Sequence, residues 1–171
     1  MSKQWWQTEE NDSVATKREL WQPIAKRIGG FDLDPAAGCE PTPIAQTRYT
    51  KADDGLSQPW FGNVWLNPPF SDKGAWYQKL VREYQHGNVD RAVSLTNAGV
   101  DTNWFHEYTA TADLLVLLNG RGWYAQRGTE NFASILGVWN PTDKLDEYLD
   151  SLGTVVKPRH KKENTTLIDY E

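Results

Sequence analysis

The residues of this chain best suited to chemistry are Asn67-Pro68-Pro69-Phe70, which follow the apolar run Val64-Trp65-Leu66. The run predicts a short buried strand, and the prolines predict a rigid turn at its end. Neither proline has an N–H, and their fixed φ directs the carbonyls of Asn67 and Pro68. The Asn67 side chain adds a carbonyl acceptor and an amide donor. Acceptors converging beside the flat face of Phe70 match an exocyclic amine, whose N–H donors lie in the plane of its ring. Such a turn at the carboxyl edge of a parallel sheet is a site for a nucleobase amine. The plainer reading of the same residues is a Pro-Pro turn that only ends a strand.

A second group lies upstream. Phe31-Asp32-Leu33-Asp34 predicts a short strand with a carboxylate at its end, followed by the small residues Pro35-Ala36-Ala37-Gly38. Doubly wound sheets open nucleotide sites in this way. The carboxylate meets an ammonium or a ribose hydroxyl, and the small residues let a ligand approach backbone N–H groups. An N-capping turn is the alternative. Asp53-Asp54-Gly55 either marks a turn or supplies a carboxylate to an adenine amine or ribose hydroxyls, and the pattern does not separate the two aspartates. Lys73 beside the Pro-Pro turn, Arg121 after an apolar strand, and the pairs Lys17-Arg18 and Lys26-Arg27 are candidate phosphate contacts. Solvated surface charge is the alternative for each. His86, His106 and His160 show no metal-ligand spacing, and Cys39 stands alone, so no metal site and no intrachain disulfide are expected.

These residues need elements to hold them. Thr16-Lys17-Arg18-Glu19 has capping-box spacing, and Leu20, Trp21, Ile24, Ala25 and Ile28 recur with a helical period up to Gly29-Gly30. Pro23 predicts a kink or a later start near Trp21. A brief strand is expected over 47–51, and a helix carrying Trp76, Tyr77, Leu80, Val81 and Tyr84 up to His86-Gly87. A strand follows over 91–96, then a helix opening at Asp101-Thr102. Leu114 to Leu118 is continuously apolar, as in a strand covered on both faces. The next strand spans 132–139, and its connection is too short for a helical crossover, so this pair should be antiparallel. A final helix is expected over 142–152. Strands alternating with helices predict an α/β doubly wound, mixed sheet with an antiparallel terminal strand pair. Asp34, Asp53 or Asp54, and Asn67 then all fall at carboxyl ends of strands.

The chain has 171 residues and predicts one domain over 1–153, with an irregular arm over 1–13 and a polar, partly basic, mobile tail over 154–171. Its longest apolar run, Leu114 to Leu118, is far shorter than a membrane span. The start lacks the apolar segment of a signal peptide, so the cytoplasm is the expected location. The net charge of −5 argues against a large phosphate-binding surface and leaves room for a local basic patch.

Together these residues resemble the small phage-type DNA adenine-N6 methyltransferases, of the Dam-like, S-adenosylmethionine-dependent kind. The likeness runs through Phe31-Asp-Leu-Asp-Pro-Ala-Ala, Tyr49-Thr50, Asp54-Gly55-Leu56, Pro59-Trp60, Val64-Trp-Leu-Asn-Pro-Pro-Phe, Asp101-Thr-Asn-Trp-Phe and Gly120-Arg121. Ala15-Thr16 stands where that family has an early Thr-Pro. The resemblance implies a Rossmann-like methyltransferase fold, S-adenosylmethionine as methyl donor and double-stranded DNA as substrate, in a viral or prophage setting. It implies a catalytic turn of Asn67, Pro68, Pro69 and Phe70. It also implies a cofactor site at Asp34, Pro35, Ala36, Asp53 or Asp54, and Asn67. Rival readings are methylation of another planar amine (cytosine N4, an RNA base or a glutamine amide) and a non-catalytic DNA-binding protein that keeps the fold.

Overall fold

The computed structural model describes residues 14–38, 42–124 and 132–159. The arm over 1–13, Cys39 and the tail from His160 onward lie outside the described residues. Helix α1 spans Arg18–Ile28, β1 Phe31–Asp34, β2 Ala45–Arg48 and β3 Gly62–Leu66. Helix α2 (Lys73–Gln85), β4 (Val89–Asn97) and α3 (Asn103–Glu107) follow, with a 3-10 turn at Thr109–Thr111. Strands β5 (Leu114–Leu118) and β6 (Ser134–Trp139), helix α4 (Asp143–Leu149) and strand β7 (Gly153–Val156) complete the order.

Among the described residues the strands form one seven-stranded mixed sheet, in the order β2-β1-β3-β4-β6-β5-β7. Strands β2, β1, β3 and β4 are parallel neighbours. Strand β6 is antiparallel to both β4 and β5, so β5 runs in the direction of β4. The carboxyl ends of β1 to β5 therefore share one edge, and Asp34, Asn67, Asn97 and Arg121 sit at or just past those ends.

Period-two alternation sends neighbouring strand residues to opposite faces. Trp65, Val93 and Val116 pack with Leu20, Trp21 and Ile24 of α1 and Leu145 and Leu149 of α4. Val64, Leu66 and Ala92 face the other way, onto Trp76, Tyr77 and Leu80 of α2. Trp65 is fully buried and meets Phe31 edge-on at 5.5 Å. Truncating it to alanine should cost about 3–5 kcal/mol. These two layers of helix clamp the central strands whose ends carry the site.

Four expectations need correction. Thr16 does not cap α1: Lys17 holds the N-cap position, with no side-chain cap bond, because the Thr16 hydroxyl is used elsewhere. Helix α1 begins at Arg18 and includes Pro23, so it does not start near Trp21. Residues 154–156, assigned to a tail, belong to β7, which pairs antiparallel with β5. Leu117 of β5 is 45% exposed while Leu115 on the same face is buried, so that face of the strand is covered only in part.

Candidate active site

The Asn67-Pro68-Pro69-Phe70 turn leaves β3 between the ends of β1 and β4. Pro68 is buried, while Asn67, Pro69 and Phe70 are half-buried. The amide nitrogen of Asn67 donates to the Val14 carbonyl at 2.6 Å and to the Thr16 hydroxyl at 3.2 Å. A primary amide has only two N–H bonds, so both are committed and the orientation of Oδ1, the acceptor, is set. Val14 to Lys17 is itself anchored. Thr16 forms an antiparallel bridge with Tyr124, and the Lys17 N–H donates to the Trp123 carbonyl at 2.9 Å.

Phe70 lies in a ring cluster, 6.0 Å from Tyr124 and 5.9 Å from Phe132. The Lys73 ammonium stands over the Phe70 ring at 4.5 Å and donates to the Asn97 side-chain oxygen at the end of β4. Lys73 is only 7% exposed. It is therefore not the surface phosphate contact that its place in the sequence suggests: as the first residue of α2 it is drawn inward by an aromatic face and an amide oxygen. Arg121 is exposed, at the carboxyl edge just beyond β5.

Beside the turn lies a cavity of about 490 Å³, lined by Pro35, Ala36, Ala37, Gly38, Tyr49, Thr50, Asp54, Pro69 and Trp76 among others. Two loops form it. The loop after β1 is braced by Asp34, which is 2% exposed and accepts from the Ala36 N–H at 3.2 Å. The loop after β2 is tied to the first through Ala37 N–H to the Tyr49 carbonyl and Tyr49 N–H to the Asp34 carbonyl, both 2.9 Å. Gly55 permits the closest approach: a Cβ there would stand 1.9 Å from the Pro35 carbonyl oxygen. Trp60 Nε1 donates to the Gly55 carbonyl at 2.8 Å, and the Lys79 ammonium to the Leu56 and Gln58 carbonyls at 2.9 and 2.7 Å. The second loop is thus strapped to α2.

The two aspartates left open by the sequence have different surroundings. Asp53 accepts from the Thr50 N–H and hydroxyl, both at 2.7 Å, and these bonds hold its carboxyl below the usual range. It clips the turn. Asp54 takes a left-handed backbone (φ 52) and lines the cavity. Pro35, Ala36, Asp54 and Pro69 come together around one space, while Asn67, Pro68 and Phe70 belong to the same turn as Pro69 without lining that space. Val14, Thr16, Tyr124, Phe132 and Trp76 were not legible as site residues, because their contacts with the turn and cavity are long-range and carry no local signal. Among the described residues no three His, Cys, Asp or Glu side chains cluster as a metal site, and no helix is long and apolar enough to cross a membrane.

A family model described as DNA N-6-adenine-methyltransferase (Dam) matches residues 3–157. A protein of Escherichia phage T1 named DNA N-6-adenine-methyltransferase is 32% identical over 99 residues, which span 56% of this chain and 40% of that relative. The aligned part is thus under half of the relative's length. On the breadth of the family match, this chain belongs to the Dam family of DNA N-6-adenine-methyltransferases.

Proposed function

We propose that the protein transfers a methyl group from S-adenosylmethionine to the N6 amine of adenine in double-stranded DNA, on a Rossmann-like methyltransferase fold. One observation carries the reading: Pro69 of the acceptor turn lines the same cavity as Pro35 to Gly38 and Asp54. A donor bound in that cavity and an amine held by the turn would be neighbours.

The cavity suits the cofactor. Its volume of about 490 Å³ is within the ordinary range of small-molecule sites. Ala36, Ala37 and Gly38 leave the backbone approachable, Tyr49 and Trp76 offer flat faces, and Asp54 offers a carboxylate to an amine or ribose hydroxyl. Asp34 would act from behind, by holding this loop in shape. Bound there, S-adenosylmethionine supplies a methyl group already activated on a sulfonium.

The chain's own residues do the rest by binding and orientation. An adenine stacked in a duplex cannot present its amine, so it must be swung out. Phe70 would stack on the extruded ring with the face away from Lys73. The Asn67 side-chain oxygen and the Pro68 carbonyl would accept the amine hydrogens and turn the nitrogen lone pair out of conjugation. These bonds strengthen as positive charge grows on the nitrogen, so they favour the transition state over the ground state. The proton can pass to water after transfer, and no side chain need act as a base beforehand. Such an enzyme would work in the cytoplasm of the cell, or of the host if virally encoded.

Incubating the protein with unmethylated duplex and a cofactor labelled in its methyl group tests the reading. Label should appear in the DNA and should fall away in Asn67→Ala. A protein that takes up the cofactor and labels no DNA would refute it.

A further inference from the structure

Lys17 and Arg18 are exposed cations that the fold brings to the catalytic turn. Their backbone is held there on both sides. Val14 and Thr16 accept both amide hydrogens of Asn67, and Lys17 is bonded to Trp123. The Lys17 side chain folds over the loop after β5: its ammonium lies 3.3 Å from where a Cβ on Gly122 would stand. Arg121 immediately precedes Gly122 in that loop. With the Gln22 amide turned so that its oxygen faces Arg18, the guanidinium donates to that oxygen at 2.7 and 3.1 Å, a neutral partner. Among the described residues, neither Lys17 nor Arg18 is joined to a carboxylate.

This concentration of charge is not the overflow of a basic protein, since the whole chain carries −5. Nor does it serve α1, because cations at the start of a helix oppose its dipole. The second basic pair of α1 behaves differently. Arg27 lies 3.8 Å over the Tyr148 ring and donates to the Pro23 carbonyl, at the far end of the helix. The cofactor cavity sits over the ends of β1 and β2, while the loop holding Arg121 leaves β5, on the other side of β3. A nucleotide swung into the turn keeps its sugar and flanking phosphates at the rim, and cations at that rim neutralise them.

We propose that Lys17 and Arg18, with Arg121 beside them, form the surface that carries the DNA backbone next to the extruded nucleotide. The proposal rests on the DNA reading above.

Anisotropy of a fluorescent duplex titrated with the full-length protein over a range of salt concentrations tests it. Each lost phosphate contact should make the slope of log affinity on log salt shallower by roughly 0.9. Lys17→Gln/Arg18→Gln should therefore lose about one to two units of slope and about tenfold or more in affinity, alike for all DNA sequences. Calorimetric uptake of S-adenosylmethionine should persist. Lys17→Arg/Arg18→Lys, which keeps the charge, should keep the slope. Lys26→Gln/Lys144→Gln, which removes equal charge elsewhere, should keep it too. A wild-type slope in the first variant, or an equal loss in either of the others, would overturn the proposal. If the wild-type protein takes up the cofactor and binds no duplex, the DNA reading itself fails, and this surface with it.

Discussion

Asn67 and Thr16, 51 positions apart in sequence, are joined by a 3.2 Å hydrogen bond from the Asn67 amide nitrogen to the Thr16 hydroxyl. The bond fixes which way the Asn67 carbonyl oxygen points. Orientation of that oxygen is what an acceptor of amine hydrogens requires. Thr16→Val removes the acceptor and keeps the shape of the side chain. A hydrogen bond of this kind contributes about 0.5–1.5 kcal/mol, so kcat should fall by roughly threefold to tenfold, with cofactor uptake unchanged. Thr16→Ser should restore most of the rate. Equal loss in both variants would point to packing at Thr16 instead.

Asn67 itself should respond more strongly. In Asn67→Ala, methyl transfer should drop by about a hundredfold or more, as for loss of one transition-state hydrogen-bond group. Asn67→Asp is the sharper probe. A carboxylate has no N–H for the Val14 carbonyl 2.6 Å away, so two acceptors would face each other. This variant should lose thermal stability as well as activity, which melting curves would show.

The closeness of the two cavity loops sets a third expectation. A Cβ on Gly55 would meet the Pro35 carbonyl oxygen at 1.9 Å, and backbone on both sides leaves little that can yield. Gly55→Ala should destabilise the protein by about 1–3 kcal/mol, the usual range for overpacking, and weaken calorimetric cofactor uptake. Gly87→Ala is a control: it also lies on a positive φ (76), but no heavy atom lies near its added Cβ. It should bear on stability and leave uptake alone.

Asp53 yields a prediction on pH. Its carboxyl is held below the ordinary range by the Thr50 N–H and hydroxyl. A depressed folded-state value means that the clip stabilises the fold above the unfolded aspartate value, about 3.9. That stabilisation is lost as pH falls through the lowered folded value. Asp53→Asn should therefore flatten the acid side of the stability curve below about pH 4, and its stability deficit against wild type should shrink there. A deficit that stays constant down to the acid limit would show that the carboxylate charge contributes nothing.

Much of the central sheet could be read from residue order, for a physical reason. A run such as Val64-Trp65-Leu66 is apolar enough to mean burial, and Leu114 to Leu118 is buried at every position but Leu117. Strand β7 was missed because Gly153-Thr154-Val155-Val156 is a short edge strand, half exposed along its length, and runs into a basic stretch that masks it. The capping-box spacing of Thr16 and Glu19 misled for the opposite reason: a tertiary partner, Asn67, takes the hydroxyl that local chemistry would have used. Lys73 looked like a surface charge beside the turn, and its burial follows from tertiary neighbours such as Phe70 and Asn97 that its place in the sequence does not reveal. For the two aspartates, neighbouring residues show that a turn exists; the Thr50 bonds show which carboxylate closes it.

The most direct test of the central claim is the chemical identity of the product. Duplex DNA incubated with the protein and S-adenosylmethionine would be digested to nucleosides and separated against standards. N6-methyldeoxyadenosine should be the modified nucleoside, absent when Asn67→Ala replaces the wild type. N4-methyldeoxycytidine in its place, or unmodified DNA from a protein that takes up the cofactor, would contradict the claim.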